Sequence, residues 1–408
     1  MASPRTKLAL IFLTVFIDMV GFGIVIPVLP LYAERFAASP PVIGCLVGVY
    51  SFIQLFSSRV LGRLSDRVGR RPVLLLSIIG SSLGFTVMGL ANTLWMLFLA
   101  RAIDGATGGN ISTAQAYIAD VTSSENRSRA MGMIGAAFGL GFIFGPVLGA
   151  LASEKSQSAP FFVAAALAAL NAVLIYFLLP ESLAPEHRSQ PHEKTSIADV
   201  LRHGKGWVLG GIMAAYFVSI MGFAMMTTMF ALFTQHRFDY DARHNFYLFA
   251  YIGVLAVIIQ GGLLGRLVKT FGEKTLATLG AALLSASMFA LPLSNGLGIL
   301  LLVCAGIALG NGLLTPTLTG LASRNVDRNW QGRALGLMQS AGTMGRFIGP
   351  LLAGWLLTFD TAGPSSRYAR TAFWASGSIL LIALALTLGI SAAPVATASP
   401  IAAAPPSV

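Results

Sequence analysis

Four ionisable side chains stand inside long apolar runs of this chain: Asp18, Arg101, Asp104 and Arg346. An ionisable group in hydrocarbon is expensive, so each is read first as a working group. Asp18 lies about 15 Å along its run, and Arg101 and Asp104 about 10–15 Å along theirs, at about 1.5 Å per residue. The three therefore reach similar depth. A carboxylate beside a guanidinium in an apolar setting is suited to loading and unloading protons. Asp18, Asp104 and Arg101 form the candidate proton-coupling set, and Arg101, Asp104, Gly108 and Gln115 share one stripe of a continuous helix. The alternative for Asp104 is an i,i+3 partner that only neutralises Arg101. Arg346 has no acid beside it in sequence. It either pairs across helices, with Asp18 as the candidate, or meets an anionic substrate, or faces a wet cavity.

Uncharged polar residues in the same runs extend this set to a substrate pathway: Gln54, Asn110, Gln115, Asn171, Gln260, Asn311 and Gln339. Phe142, with Phe22, Tyr50, Phe138 and Phe223, supplies apolar contact. The structural alternative for a Gln or Asn is hydrogen bonding between helices. No Walker loop, metal-ligand spacing or Ser/His pairing is present, so neither catalysis nor a cofactor is expected. Cys45 and Cys304 sit inside apolar runs and argue for neither a disulfide nor a metal site. All five histidines, His187, His192, His203, His236 and His244, are placed in connections.

The elements that must hold these residues follow from composition. Of 408 residues, 55% are hydrophobic and 11% charged, too apolar for a water-soluble core. Apolar runs of about 20 residues can each cross a hydrocarbon layer as a helix. They are too long for the alternating strands of a membrane barrel. The expected fold is all-α, with twelve spans near 8–31, 42–62, 72–91, 94–118, 130–152, 160–180, 207–234, 244–268, 274–294, 297–322, 333–357 and 370–390. The first is kept as a span, because it lacks a small-residue cleavage site and Pro27 and Pro30 continue it. The net charge of +11 reflects topology rather than nucleic-acid binding. With both termini inside, 18 Lys/Arg fall on inner segments, among them Arg63, Arg67, Arg188, Lys194, Arg202 and Lys205. Six fall outside: Arg35, Lys155, Arg237, Arg243, Arg367 and Arg370. That bias is the positive-inside pattern.

Residues 181–206 are the one long polar stretch and divide the chain into six-helix bundles at 1–180 and 207–390, followed by an Ala/Pro-rich tail at 391–408 expected to be disordered. The halves repeat. Arg129, Gly132, Gly141, Gly145 and Pro146 are matched by Arg333, Gly336, Gly345, Gly349 and Pro350, each 204 residues later. Gly62-Arg63-Leu64 and Gly69 are matched by Gly265-Arg266-Leu267 and Gly272 at an offset of 203. Two such repeats with a pathway between them suit a rocking transporter.

Two motifs carry a resemblance. The turn Gly62-Arg-Leu-Ser-Asp66-Arg67-Val-Gly69-Arg70-Arg71-Pro72 resembles the hallmark loop of the major facilitator superfamily. The resemblance implies a conformational latch formed by Gly62, Asp66, Arg67, Gly69, Arg70 and Arg71, joined by Asp120, acting in the outward-facing state. Gly132, Gly141, Gly145, Pro146 and Gly149 resemble the antiporter motif of 12-span drug:proton exporters, with Ala150 in place of the final Gly. Asp18-Met-Val-Gly21-Phe-Gly23-Ile-Val-Ile-Pro27-Val-Leu-Pro30 and Arg101-x3-Gly105 extend the likeness towards the tetracycline/proton antiporters. Those antiporters carry acids in spans 3 and 9 and a His in span 8, where this chain has Gly84, Leu284 and Ala256. Arg59 stands where the family commonly has Pro, one turn from the inner face, where its guanidinium can snorkel to water.

Without a nucleotide site, uphill transport must draw on an ion gradient. One charge moving down about 100 mV supplies about 2.3 kcal/mol, enough for roughly a 50-fold gradient of a neutral solute. The resemblance implies a proton-coupled exporter of amphipathic small molecules in the plasma (inner) membrane. Its partners would be protons, a small-molecule substrate and lipid, and a monomer is expected. An importer or uniporter of sugars or metabolites in the same fold, and a transport-inactive receptor or scaffold, are the alternatives.

Overall fold

The computed structural model describes residues 4–122, 127–183, 206–327, 330–361 and 367–390, with positions 186, 199 and 202. The tail at 391–408 and most of the 181–206 connection, with His187, His192 and His203, lie outside the described residues, as do the side chains of Arg127 and Arg129. Helices follow in the order α1 (Pro4–Glu34), α2 (Pro40–Val68), α3 (Arg70–Gly89), α4 (Leu94–Ala106), α5 (Asn110–Val121), α6 (Arg127–Ser153) and α7 (Ala159–Leu178). The second half continues with α8 (Gly206–Phe238), α9 (Ala242–Val257), α10 (Leu264–Ala290), α11 (Leu297–Arg324), α12 (Gln331–Leu357) and α13 (Arg370–Gly389). A π-helical turn, Ile258–Leu263, joins α9 to α10. Among the described residues, nine helical stretches are long and apolar enough to cross a bilayer by length and composition. Helices this apolar satisfy their backbone internally, and Pro27 and Pro30 in α1, Pro146 in α6, Pro316 in α11 and Pro350 in α12 each remove one such bond without ending the helix.

The glycine repeat is used the same way in both halves. In the first, α6 lies against α1: a Cβ on Gly145 would sit 2.9 Å from the Cα of Gly23, and Gly141 abuts Met19. In the second, α12 lies against α8: a Cβ on Gly345 would sit 2.9 Å from the Phe217 carbonyl oxygen, and one on Gly349 2.6 Å from that of Met221. Small residues permit this approach, which is how helices associate where lipid removes the hydrophobic drive. The weaker repeat marks two matching breaks. Gly69 has φ 119 between α2 and α3, and Gly272 has φ 79 within α10, the two described glycines in the left-handed region.

The halves meet at one end and part at the other. Of the expected loop Gly62–Pro72 only Gly69 lies outside α2 and α3, so the loop end is a one-residue turn between two helices. Away from that end, α2 touches α12, where a Cβ on Gly354 would lie 3.1 Å from the Cα of Gly44. There α9 also touches α6, where a Cβ on Gly253 would lie 3.0 Å from the Phe142 carbonyl carbon, and Arg243 pairs with Glu154 at 2.9 Å. At the loop end α2, α6 and α12, with the π-helical turn and the first turn of α10, carry Gly62, Gly132, Gly135, Gly332, Gly336, Gly261 and Gly265, and a Cβ on any of them would meet no described atom within 4 Å. The space between the halves is therefore open towards the loop end.

Two expectations need correction here. The stretch 94–118 is not one helix but breaks between Ala106 and Asn110, so the stripe running from Arg101 to Gln115 is interrupted. Gly105, Gly108 and Gly109 press on α2, where Cβ atoms would lie 2.7 Å from the Tyr50 carbonyl oxygen, 3.0 Å from Gln54 Nε2 and 2.7 Å from Leu61. Three glycines in five residues allow that approach and weaken the helix that makes it. His236 and His244 lie in the last turn of α8 and the first turn of α9 rather than in connections.

Candidate functional site

Asp18 is half-buried on α1, a helix packed by α2, α5, α6, α7, α8 and α9, so the surface it reaches lies inside the bundle rather than in lipid. Asn110, the first residue of α5, brings its side-chain amide beside that carboxylate. The break in span 4 is what delivers Asn110 to that position. Arg101 and Asp104, on α4, are 4% and 5% exposed, more enclosed than Asp18. Arg101 Nη1 lies 3.5 Å from Asp104 Oδ2, and Ser81 on α3 donates to Asp104 Oδ1 at 2.8 Å. The Arg101 guanidinium also stacks 4.4 Å from the centre of the Tyr50 ring, while its buried Nε has no hydrogen-bond partner among the described residues. Asp104 is thus held on both oxygens, whereas Asp18 has one amide partner and an accessible side.

Tyr50 is the junction of the site. Gln54 Nε2 donates to its hydroxyl at 2.9 Å, and Phe22 lies 6.3 Å from its ring. Asp18, Asp104 and Arg101 from the first half and Arg346 from the second all lie within electrostatic reach of that hydroxyl. Phe142 completes the aromatic wall, 6.1 Å from Phe22. Gln54 spends its other N–H on the Gly108 carbonyl at 3.1 Å, so it fastens α2 to the break as well as facing Tyr50.

Arg346 does not pair with Asp18. Among the described residues no ion pair includes it. Its Nη2 donates to Thr343 Oγ1, one turn earlier, at 3.2 Å. Gly342, lacking a side chain, leaves room for Arg346 Nη1 and the Tyr216 ring, and the Tyr216 hydroxyl donates to Gln339 Oε1 at 3.4 Å. The result is a half-buried cation surrounded by hydroxyl and amide groups, on the α12 face turned towards α8 and α2.

The remaining candidates are dispersed. Asn171 is buried, donating to the Thr14 backbone at 3.0 Å, so it joins α7 to α1 and lines no pathway. Asn311 accepts from Thr315 Oγ1 at 3.1 Å on α11, Gln115 is half-buried on α5, and Gln260 is exposed in the π-helical turn. An apolar groove of about 360 Å³ between α2 and α4, lined by Phe52, Phe56, Val60 and Ala106, carries no ionisable group and is separate from this chemistry.

At the loop end Arg70 pairs with Asp66 and, at 3.1 Å, with Asp120, and donates to Ser65 Oγ at 2.8 Å. Arg71 hydrogen-bonds the Tyr176 carbonyl and lies over its ring, while Arg67 and Arg63 are exposed. Gly62 touches nothing in the second half. Gly69 abuts Glu181, a residue the sequence reading missed. Glu181 accepts from Arg70 N at 2.9 Å and Arg71 N at 3.2 Å, capping α3 from the far end of the first half. The second half repeats the ion pair with its charges exchanged. Glu273, following Gly272, pairs at 3.2 Å with Arg324, at the end of α11, just as Arg70, following Gly69, pairs with Asp120 at the end of α5. A search for identities passes over this match; a search for complementary charge at offsets of 203 and 204 would have found it.

A polytopic helical bundle with a one-sided opening and buried charges at its centre defines a membrane transporter. The chain belongs to the Major Facilitator Superfamily, whose family model matches residues 11–350. It is 33% identical to the class B tetracycline resistance protein of Escherichia coli, over 86% of this chain and 88% of that one. It is 30% identical to multidrug resistance protein 2 of Bacillus subtilis (strain 168), over 94% and 95%. The solved structure of a bacterial homolog of the human lysosomal transporter Spinster, inward-facing and unoccupied, matches with a TM-score of 0.77 at 15% identity, over 97% of this chain and 100% of that one. The family and these relatives are transporters, not enzymes, and the tetracycline and multidrug resistance relatives support drug efflux.

Proposed function

We propose that the chain is a proton-coupled antiporter that exports amphipathic small molecules by alternating access, with Asp18 as the residue that exchanges the proton. The observation that carries this reading is the contrast between two carboxylates at similar depth. Asp18 faces the interior space with one amide partner, whereas Asp104 is enclosed between Arg101 and Ser81. A proton carrier must reach water from alternate sides, and the accessible carboxylate suits that task. The tetracycline and multidrug resistance relatives favour export as the direction.

In this reading the loop end is cytoplasmic, both termini are inside the plasma (inner) membrane, and the conformation is inward-facing. The nine apolar stretches become twelve spans when α4 and α5 count together, α12 is added and the 242–293 stretch divides at Gly272. Residues 1–180 and 207–390 rock as two bundles of one monomer. Asp66, Arg70 and Asp120 pair within the first half here and engage the second when the inner ends close.

The test uses full-length protein in liposomes with an imposed pH gradient. Wild type is expected to accumulate a tetracycline or a lipophilic dye against its gradient while releasing protons. Asp18→Asn, which keeps the shape and loses the proton, should abolish the pH-driven component and retain binding. Unchanged proton-driven counterflow in this variant would sink the assignment.

A further inference from the structure

The proton-exchange reading leaves the charge of the cargo open, and the two halves of the site constrain it. Asp18 offers a carboxylate on the first half, and Arg346 a cation on the second with no acid in ion-pair reach among the described residues. The ring of Tyr50 lies 6.3 Å from Phe22, one turn along α1 from Asp18, and on the same α2 Phe52 lies 4.9 Å from Phe347, the residue after Arg346. The two groups therefore act on one region of the interior, with Tyr50 within electrostatic reach of both. Arg346 is set with Thr343, Tyr216 and Gln339, the surroundings an anionic group could share by charge-assisted hydrogen bonds.

Of three charged cargo classes, the sign of coupling excludes one and the charge of Arg346 another. A cargo carrying only an anion, held by Arg346, gains when Asp18 is protonated, because protonation removes a negative charge from the same low-dielectric space. Such a cargo would travel with the proton instead of exchanging for it. A cargo carrying only a cation competes with the proton for Asp18, as exchange requires, but meets the unneutralised guanidinium of Arg346 nearby. A cargo with both charges satisfies both constraints. Its cationic group displaces the proton from Asp18 to water, and its anionic group neutralises Arg346.

We infer that the site selects zwitterionic amphiphiles, the anionic group resting on Arg346 beside Thr343 and Tyr216 and the cationic group on Asp18. This rests on the proton-exchange reading only for the role of Asp18; the Arg346 subsite stands on geometry. Because α12 belongs to the second half and α1 to the first, the cargo bridges the two parts that must move relative to each other. Its binding then bears directly on which conformation is favoured.

The experiment is equilibrium binding to the full chain in nanodiscs. The probes are three dansyl amphiphiles of equal chain length: a sulfobetaine, its trimethylammonium analogue and its sulfonate analogue. Wild type is expected to bind the sulfobetaine about tenfold more tightly than either singly charged probe, the scale of one charge-assisted hydrogen bond. Arg346→Gln should remove that advantage over the trimethylammonium probe, and Arg346→Lys should retain most of it. Asp18→Asn should remove the advantage over the sulfonate probe. Equal binding of sulfobetaine and trimethylammonium probes by wild type would overturn the inference. So would a uniform loss for all three probes in Arg346→Gln, or equal losses in Arg346→Gln and Arg346→Lys. Proton release on sulfobetaine binding is recorded in parallel. Zwitterion preference without proton release would refute proton exchange through Asp18 and leave the Arg346 subsite intact.

Discussion

Replacing Gly145 with alanine places a methyl group 2.7 Å from the Val20 carbonyl oxygen and 2.9 and 3.0 Å from the Cα and carbonyl carbon of Gly23. All three are backbone atoms of α1, so no side chain can rotate away and the helices must separate by about half an ångström. Overpacking of this kind costs about 1–3 kcal/mol. Alanine also improves a helix interior by about 0.5–1 kcal/mol relative to glycine. Gly132, in the same motif and helix, has no described atom within 4 Å of its Cβ position, so Gly132→Ala keeps the helix gain without the clash. The propensity term cancels between the two variants, and Gly145→Ala should be less stable than Gly132→Ala by about 1–3 kcal/mol. The second half repeats the contrast: Gly349 abuts Met221, and Gly336 is open. Unfolding of purified protein in mixed micelles measures these differences. Transport separates the pair further. If the loop ends close by glycine contact in the opposite conformation, Gly132→Ala disfavours that conformation and slows efflux at undiminished stability, about tenfold for each 1.4 kcal/mol. Equal stabilities for Gly132→Ala and Gly145→Ala would refute the reasoning, because the motif would then not act through approach to α1.

Further outcomes follow from the charged groups. Asp104→Asn leaves Arg101 buried without its counter-ion and should cost about 3–5 kcal/mol, read as a fall in folded protein recovered from membranes. A well-folded Asp104→Asn that has lost proton coupling would transfer the coupling role from Asp18 to Asp104. Glu273→Arg or Arg324→Glu alone should lower stability by about 0.2–1 kcal/mol, since Arg324 is largely exposed, and the double exchange should recover it in a double-mutant cycle. Glu181→Ala should cost about 0.5–2 kcal/mol by uncapping α3 at Arg70 and Arg71, and normal stability would show that the cap is idle.

The sequence alone determined what depends on solvent and on local pattern. Apolar runs such as those at 8–31 and 207–234 must be helices, because lipid offers their backbone no partner. The glycines at 132, 141 and 145 and at 336, 345 and 349 announce two like halves, since the same spacing recurs 204 residues later. Tertiary structure decided the partners. The break at 107–109 follows from the approach of α2, invisible in the apolar pattern of residues 94–118. It sends Asn110 to Asp18 and removes Gln115 from the stripe of Arg101. Asn171 and Gln54 look alike as lone amides in apolar runs, yet one is buried against Thr14 and the other reaches Tyr50. Arg346 turns to Thr343 instead of Asp18. A helix period fixes which residues share a face, but the rotation and register of helices far apart in the chain fix what that face meets.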